Sequence, residues 1–219
     1  MRAAVVHRPL SLDERIADGV VHGVGIVHTL VLGVVLIVLA AIGFARPELP
    51  TLVLYLTGLV LCLSISLAFN LATPSRFKRI MERLDKAAIF LFIAASYTPF
   101  LALIWPQPGI PLLLLLIWAT ALGGMALRLV APTRFTAVAI ALYLCLGWSG
   151  VLVFGTLFTT LPAPAFWLLL AGGITLSAGV PFHLWRQLRF QSVVWHGFVV
   201  AGTALHLWAL TFALVFARL

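Results

Sequence analysis

The chain has 219 residues, of which 63% are hydrophobic and only 9% charged, with a formal net charge of +8. Soluble domains run at about 45–50% apolar and about 25% charged, so this composition excludes a soluble globular enzyme, a disordered chain and a secreted disulfide scaffold. The basic residues are sparse and sit between long apolar runs, a pattern that orients a polytopic membrane protein and does not bind nucleic acid.

The first eighteen residues carry Arg2, Arg8, Asp13, Glu14, Arg15 and Asp18. They read as a cytoplasmic segment, 1–18, ahead of a transmembrane domain, 19–219, with no cleavable signal peptide. A helix needs about 20 mostly apolar residues to cross the hydrocarbon core. Seven segments qualify, at 19–44, 51–73, 87–105, 111–131, 135–159, 163–184 and 193–217. Breaks fall at Arg46–Pro50, at the charged stretch Pro74–Lys86, and at Pro106–Pro111, Pro132–Arg134, Pro162–Pro164 and Arg186–Gln191. Kinks are expected at Pro99 and Pro181. The runs are continuously apolar and do not alternate, which argues against a β-barrel. The expected fold is therefore an all-α integral membrane bundle of seven helices in the cell membrane.

Orientation follows from Lys and Arg. With the amino terminus in the cytoplasm, twelve of the fourteen fall inside, and only Arg46 and Arg218 fall outside. The positive-inside rule then places the amino terminus in the cytoplasm and the carboxyl terminus outside. Arg128 reads as a snorkelling residue. Cys62 and Cys145 lie in apolar runs without ligand spacing and read as small buried hydrophobes.

This topology brings polar side chains to one depth near the cytoplasmic face. His22 lies near the start of the first span, Ser66 and Asn70 near the end of the second, and Asp85 opens the third. His183 closes the sixth, and Ser192 and His196 open the seventh. Polar groups in a span are costly, so they usually face the bundle interior and mark a site. Ser66 and Asn70 are four residues apart, as are Ser192 and His196, so each pair shares a helix face. With Asp85 they would line a small polar chamber. Among residues at this level, His196, Asp85, His22 and His183 have donor atoms suited to zinc, whereas Ser and Asn are poor zinc ligands.

Four stretches carry a resemblance: ERIADGVVHGVG from Glu14, SLAFN from Ser66, RLDKAAIFLFIAASYTPF from Arg83, and VVWHGFVVAGTALHLWAL from Val193. The sequence resembles the hemolysin III proteins, the bacterial branch of the progestin and adipoQ receptor family, from about Ser11 onward. The resemblance implies a seven-helix bundle with a cytoplasmic amino terminus. In the receptor branch, zinc is held near the cytoplasmic face by three histidines with a nearby Ser and Asp. Carried over, the Ser is Ser66, the Asp is Asp85 and the final histidine is His196, while the other two histidine positions fall on Asn70 and Ser192. In the first span the usual second acidic residue falls on Arg15 and the usual Asn on Asp18.

The double loss favours a metal-free bundle in which Ser66, Asn70, Asp85, Ser192 and His196 satisfy one another by hydrogen bonding. Retention of zinc, with His22 or His183 as replacement ligands, is the alternative. The resemblance then implies a non-catalytic protein of membrane-lipid homeostasis or sensing. Membrane lipids would be its partners, and a lipid ligand would sit in a cavity on the cytoplasmic side. A zinc-dependent lipid amide hydrolase, with Asp85 and Ser66 as catalytic groups, is the enzymatic alternative, and a hemolysin-like pore is the third. Without metal, Asp85 and His196 are expected to form a carboxylate–imidazole pair.

Overall fold

The computed structural model describes residues 11–44, 48–105, 107–132 and 134–215. Arg2, Arg8, Arg46, Pro47, Pro106, Thr133 and Arg218, which carry part of the charge count or of the expected breaks, lie outside the described residues. The described residues form seven helical segments long and apolar enough to cross a membrane. An odd number of crossings puts the two ends of the bundle's chain on opposite faces, as the charge distribution requires.

The first span, α1, runs Leu12–Leu39 and passes through a wider turn, Ala40–Phe44, where Gly43 takes φ 122°. It starts seven residues before the expected boundary at residue 19. The start is set by a capping box: the Ser11 hydroxyl accepts from the Glu14 N–H, and the Glu14 carboxylate accepts from the Ser11 N–H. Residues Glu14, Asp18, His22, Gly25, Thr29, Gly33 and Leu36 form its buried stripe. Val20, Val24, Val27, Val31 and Val38 are exposed on the other face. The helix is thus polar and small inside and apolar outside, as a lipid-facing helix must be.

The remaining helices are α2 (Leu49–Leu71), α3 (Arg76–Leu103), α4 (Ile110–Val130), α5 (Thr136–Gly147), α6 (Phe154–Thr160), α7 (Ala163–Leu184) and α8 (Gln191–Leu214). Helix α1 packs beside α2 and α8, α2 on α3, α3 on α4, and α7 on α8. The tight α7–α8 seam rests on glycines. A Cβ at Gly172 would lie 2.2 Å from His206 Cδ2, and one at Gly202 would lie 2.6 Å from Leu176 Cγ.

The fifth span is not one helix. Between α5 and α6 the chain tightens into a 3-10 turn over Ser149–Val153. Tyr97 of α3 bridges the break, its hydroxyl donating to the Gly147 carbonyl at 2.6 Å and accepting from the Gly150 N–H at 2.9 Å. Backbone groups freed inside a membrane need such partners. By contrast, α3 and α7 continue as helices through Pro99 and Pro181. The fifth span packs only sparingly on α3, α4 and α7. In its most apolar stretch 11% of residues are buried, against 61% in the third span, so the fifth forms an outer wall and the third the centre.

Arg128 is 3% exposed and its guanidinium donates to the Arg134 carbonyl at 3.2 Å, so it points into the bundle end and does not snorkel. Cys145 is exposed and Cys62 half-buried.

Candidate functional site

The polar residues meet where the start of α1, the end of α2 and the starts of α3 and α8 converge. Their centre is Asp18, fully buried on α1. Its Oδ1 accepts a hydrogen bond from His196 Nδ1 at 2.6 Å. A carboxylate accepts only, so Nδ1 carries the proton and a neutral His196 has a bare lone pair on Nε2. That Nε2 faces the Ser66 hydroxyl at 3.3 Å, which donates to it. The three side chains form a directional series, carboxylate to imidazole to hydroxyl, across three helices.

His22 sits one turn after Asp18 and is fully buried. Its Nδ1 donates to the Asp18 carbonyl at 2.9 Å and lies 3.4 Å from Asp18 Oδ2. The two imidazoles are close, with ring centroids 4.3 Å apart and planes at 60°. His22 Nε2 and Asp18 Oδ2 are buried without a hydrogen-bond partner. One turn earlier on the same face, Glu14 serves the fold. Its Oε1 accepts from the Phe190 N–H at 2.9 Å and so ties α1 to the start of α8.

Asp85 is half-buried on α3, with its carboxyl toward the Ser66 hydroxyl and within electrostatic reach of His196, Lys86 and His22. His196 therefore pairs with Asp18, which differs from the expected Asp85–His196 pair. Asn70 is buried, and its amide donates to the Ser66 carbonyl at 2.9 Å, so the side chain is turned to its own helix. Ser192 is half-buried one turn before His196, and no hydrogen bond joins it to the cluster among the described residues. His183 stands apart, its ring 4.8 Å from Trp195.

The sequence reading missed Asp18 as a site residue and Glu14 as an anchor. The signal was present: 14, 18 and 22 share one helix face. Placing the start of the span at residue 19 put two of the three outside the membrane and hid the stripe.

Beside this cluster, between α3, the fifth span, α7 and α8, lies a cavity of about 240 Å³. Its walls are mainly apolar, with Phe92, Tyr143 and Gly173 among them, and His183 and Trp195 stand at the end nearest the polar cluster. Along α7 it extends from Phe166 to His183, roughly 25 Å at the helical rise. His206 lines its deeper part and donates from Nε2 to the Leu169 carbonyl at 3.2 Å.

The resemblance implies zinc at the positions of Asn70, Ser192 and His196. The residues present do not fit it there. The Asn70 amide is committed to the Ser66 carbonyl, and a serine hydroxyl at 192 is a poor zinc ligand.

The family profile described as Haemolysin-III related matches residues 11–207. The chain is 31% identical over 196 residues to the "Hemolysin-3 homolog" of Bacillus subtilis (strain 168), covering 89% of this chain and 91% of that protein. It is 31% identical over 201 residues to "Hemolysin-3" of Bacillus cereus, covering 92% of each. It is also 31% identical over 127 residues to the "Monocyte to macrophage differentiation factor" of Homo sapiens, covering 58% of this chain and 52% of that one. No solved structure matches.

Proposed function

We propose that this chain, which belongs to the Haemolysin-III related family, acts in membrane-lipid homeostasis by holding the acyl chain of a lipid in its lateral cavity. The observation that carries this reading is the cavity itself. It is long and mainly apolar along α7, with His183 at the end nearest the polar cluster and His206 deeper, and is walled on the outside by the fifth span. Ligand sites are of this kind, mostly apolar with a few convergent polar groups. An acyl chain would enter past the sparingly packed fifth span, and the headgroup would lie toward His183 and the Asp18–His196–Ser66 series. The charge distribution places that end at the cytoplasmic face of the cell membrane. No metal takes part in this reading, and a change in lipid chain length or order alters occupancy directly.

The test is lipid co-purification. Gly173 lines the cavity, and a Cβ there meets nothing within 4 Å, so Gly173→Leu starts its side chain in open space and takes up part of the cavity. Protein extracted in mild detergent is expected to carry a defined lipid, and Gly173→Leu to lose it. Deletion of the gene is expected to change membrane fluidity or lipid composition under temperature stress, with rescue by the wild type and not by Gly173→Leu. Unchanged membranes under temperature and lipid stress would sink the proposal.

A second reading is favoured by one observation, the Asp18–His196–Ser66 series at 2.6 Å and 3.3 Å. In a lipid amide or ester hydrolase the carboxylate would orient the imidazole, and the imidazole would take the Ser66 proton as its oxygen attacks the carbonyl carbon. The C–N or C–O bond would then break, the leaving amine or alcohol taking that proton. Water, deprotonated by the same imidazole, would release the fatty acid and return the proton to Ser66. Release of fatty acid from defined lipid amides or esters, abolished by Ser66→Ala, supports it. An absence of turnover across both classes removes it.

A further inference from the structure

We propose that the cytoplasmic turn between the fourth and fifth spans binds the phosphates of an anionic lipid headgroup, held by Arg83, Arg128, Arg134 and the Phe135 N–H. The site uses no residue of the Asp18 cluster and none that lines the lateral cavity.

Three guanidinium groups are tied to one short stretch, residues 128–134. Arg128 closes α4 and donates to the Arg134 carbonyl at 3.2 Å, and Arg83 of α3 donates to the Leu129 carbonyl at 3.2 Å. Arg134 itself is exposed. Among the described residues no carboxylate pairs with any of the three. Glu82 is taken by Lys86, and the Asp85 carboxyl turns toward Ser66. The carbonyl end of a helix carries about half a negative charge, which one arginine is enough to answer. Roughly two to three positive charges therefore stay unbalanced at this turn.

Arg128 is the member that water does not serve. It is buried, and its Nε has no hydrogen-bond partner. The Tyr143 hydroxyl beside it is neutral and donates its own proton to the Lys86 carbonyl. A charge taken out of water needs a counter-charge, and the described chain offers none here. The carbonyl that holds Arg128 belongs to the exposed Arg134, so that edge of the guanidinium abuts the headgroup layer.

The turn before α8 supplies a comparison within the same molecule. There Arg189 lies over the Phe190 ring at 5.0 Å, and Phe190 opens the helix with φ 59°. Before α5, Arg134 lies over the Phe135 ring at 5.8 Å, and Phe135 opens the helix with φ 57°. A bulky residue at positive φ is uncommon and is held there by its surroundings. At Phe190 the holder is an anion, since Glu14 Oε1 accepts its N–H at 2.9 Å. At Phe135 no acceptor meets the N–H among the described residues. The same arginine–phenylalanine turn is built twice, once with its anion supplied by the chain and once open. Helix N-termini receive phosphate readily, and arginine pairs with it through two parallel hydrogen bonds.

The place favours a lipid as the source of that phosphate. Val130 and Phe135 are exposed at either end of the turn and give acyl chains an apolar surface beside the charges. Basic pockets between spans on the cytoplasmic side suit anionic headgroups. Cardiolipin, with a phosphodiester at each end of its headgroup, matches the unbalanced charge, whereas phosphatidylethanolamine brings its own cation.

The experiment uses full-length protein in mild detergent, with cardiolipin, phosphatidylglycerol and phosphatidylethanolamine added in turn and retained lipid counted by native mass spectrometry. Retention is expected to fall in that order. Arg83→Gln and Arg134→Gln are each expected to weaken cardiolipin retention about fivefold, and Arg128→Gln at least about tenfold. Arg189→Gln, in the turn whose anion is Glu14, leaves it unchanged. Arg83 and Arg134 are exposed, so their variants decide the matter even if Arg128→Gln fails to fold. Equal retention of the three lipids, or a loss in Arg189→Gln equal to that in Arg134→Gln, overturns the proposal. Displacement of cardiolipin by inorganic phosphate alone also overturns it, and would assign the turn to a soluble phosphate. Cardiolipin retained equally by wild type and Gly173→Leu separates this site from the lateral cavity, and its loss in Gly173→Leu counts against the turn.

Discussion

Gly172→Ala should unlatch the sixth and seventh spans, and its neighbour Gly173→Ala should not. A Cβ at Gly172 falls 2.2 Å from His206 Cδ2, 2.5 Å from His206 Nε2 and 2.9 Å from the Gly202 carbonyl oxygen. The ring cannot swing aside freely, because its Nε2 is bonded to Leu169 and its edge packs on Phe100. The carbonyl belongs to α8 and moves only with that helix. Overpacking of this kind costs about 1–3 kcal/mol, and a clash with both a pinned ring and backbone belongs at the upper end. Replacing glycine by alanine inside a helix returns about 1 kcal/mol, leaving a net loss of about 2 kcal/mol. At Gly173 the added methyl meets nothing within 4 Å, so only the gain of up to about 1 kcal/mol remains. At about 2–4 °C per kcal/mol for a chain of this size, Gly172→Ala should lower Tm by about 4–8 °C. Gly173→Ala should raise it slightly. Thermal unfolding of both variants in the same detergent, followed by tryptophan fluorescence, measures the difference. A Gly172→Ala protein as stable as Gly173→Ala would refute the reasoning, since it would mean that α7 and α8 are not in contact there.

Glu14→Ala removes the acceptor for the Phe190 N–H at 2.9 Å and one arm of the capping box. Hydrogen bonds to a charged group are worth about 1.5–3 kcal/mol, so a loss of at least about 1.5 kcal/mol is expected, and an unaltered thermal midpoint would contradict the anchoring role. Tyr97→Phe leaves the Gly147 carbonyl and the Gly150 N–H without their bridge. Faster amide hydrogen exchange over residues 147–153, with a stability loss of about 1–3 kcal/mol, is the expected outcome, and unchanged exchange would show that the break is held elsewhere. Ser66→Ala gives up a 3.3 Å contact with His196 and the hydroxyl beside the Asp85 carboxyl, so a loss of about 1–3 kcal/mol and an intact fold are expected. A variant that fails to fold would mean that Ser66 is a structural member of the cluster.

Much of this molecule is legible before any coordinates. The seven spans follow from runs longer than the hydrocarbon core is thick, and their polar ends share a depth because alternate crossings must reverse direction. The missed features are instructive. The true start of α1 at Leu12 is governed by the Ser11–Glu14 capping box, a local signal that outweighs the local drop in hydropathy. Arg128 is buried because α4 turns it toward the Arg134 carbonyl, a choice of helix face that an almost uniformly apolar helix does not announce. The break in the fifth span at Ser149–Val153 depends on a tyrosine fifty residues earlier in the chain.

Class, number of crossings, orientation and family resemblance can all be read along the chain. Each of these depends on composition, run length or motif along a single chain. Which carboxylate serves His196 depends on how the helices pack, because Asp18 and Asp85 lie at similar depth and differ only in which helix stands beside α8. Helix α1 packs there, through its polar and glycine stripe, and this gives the imidazole to Asp18 and not to Asp85. The pairing is a matter of lateral position in the membrane plane, and hydropathy along the chain reports depth alone.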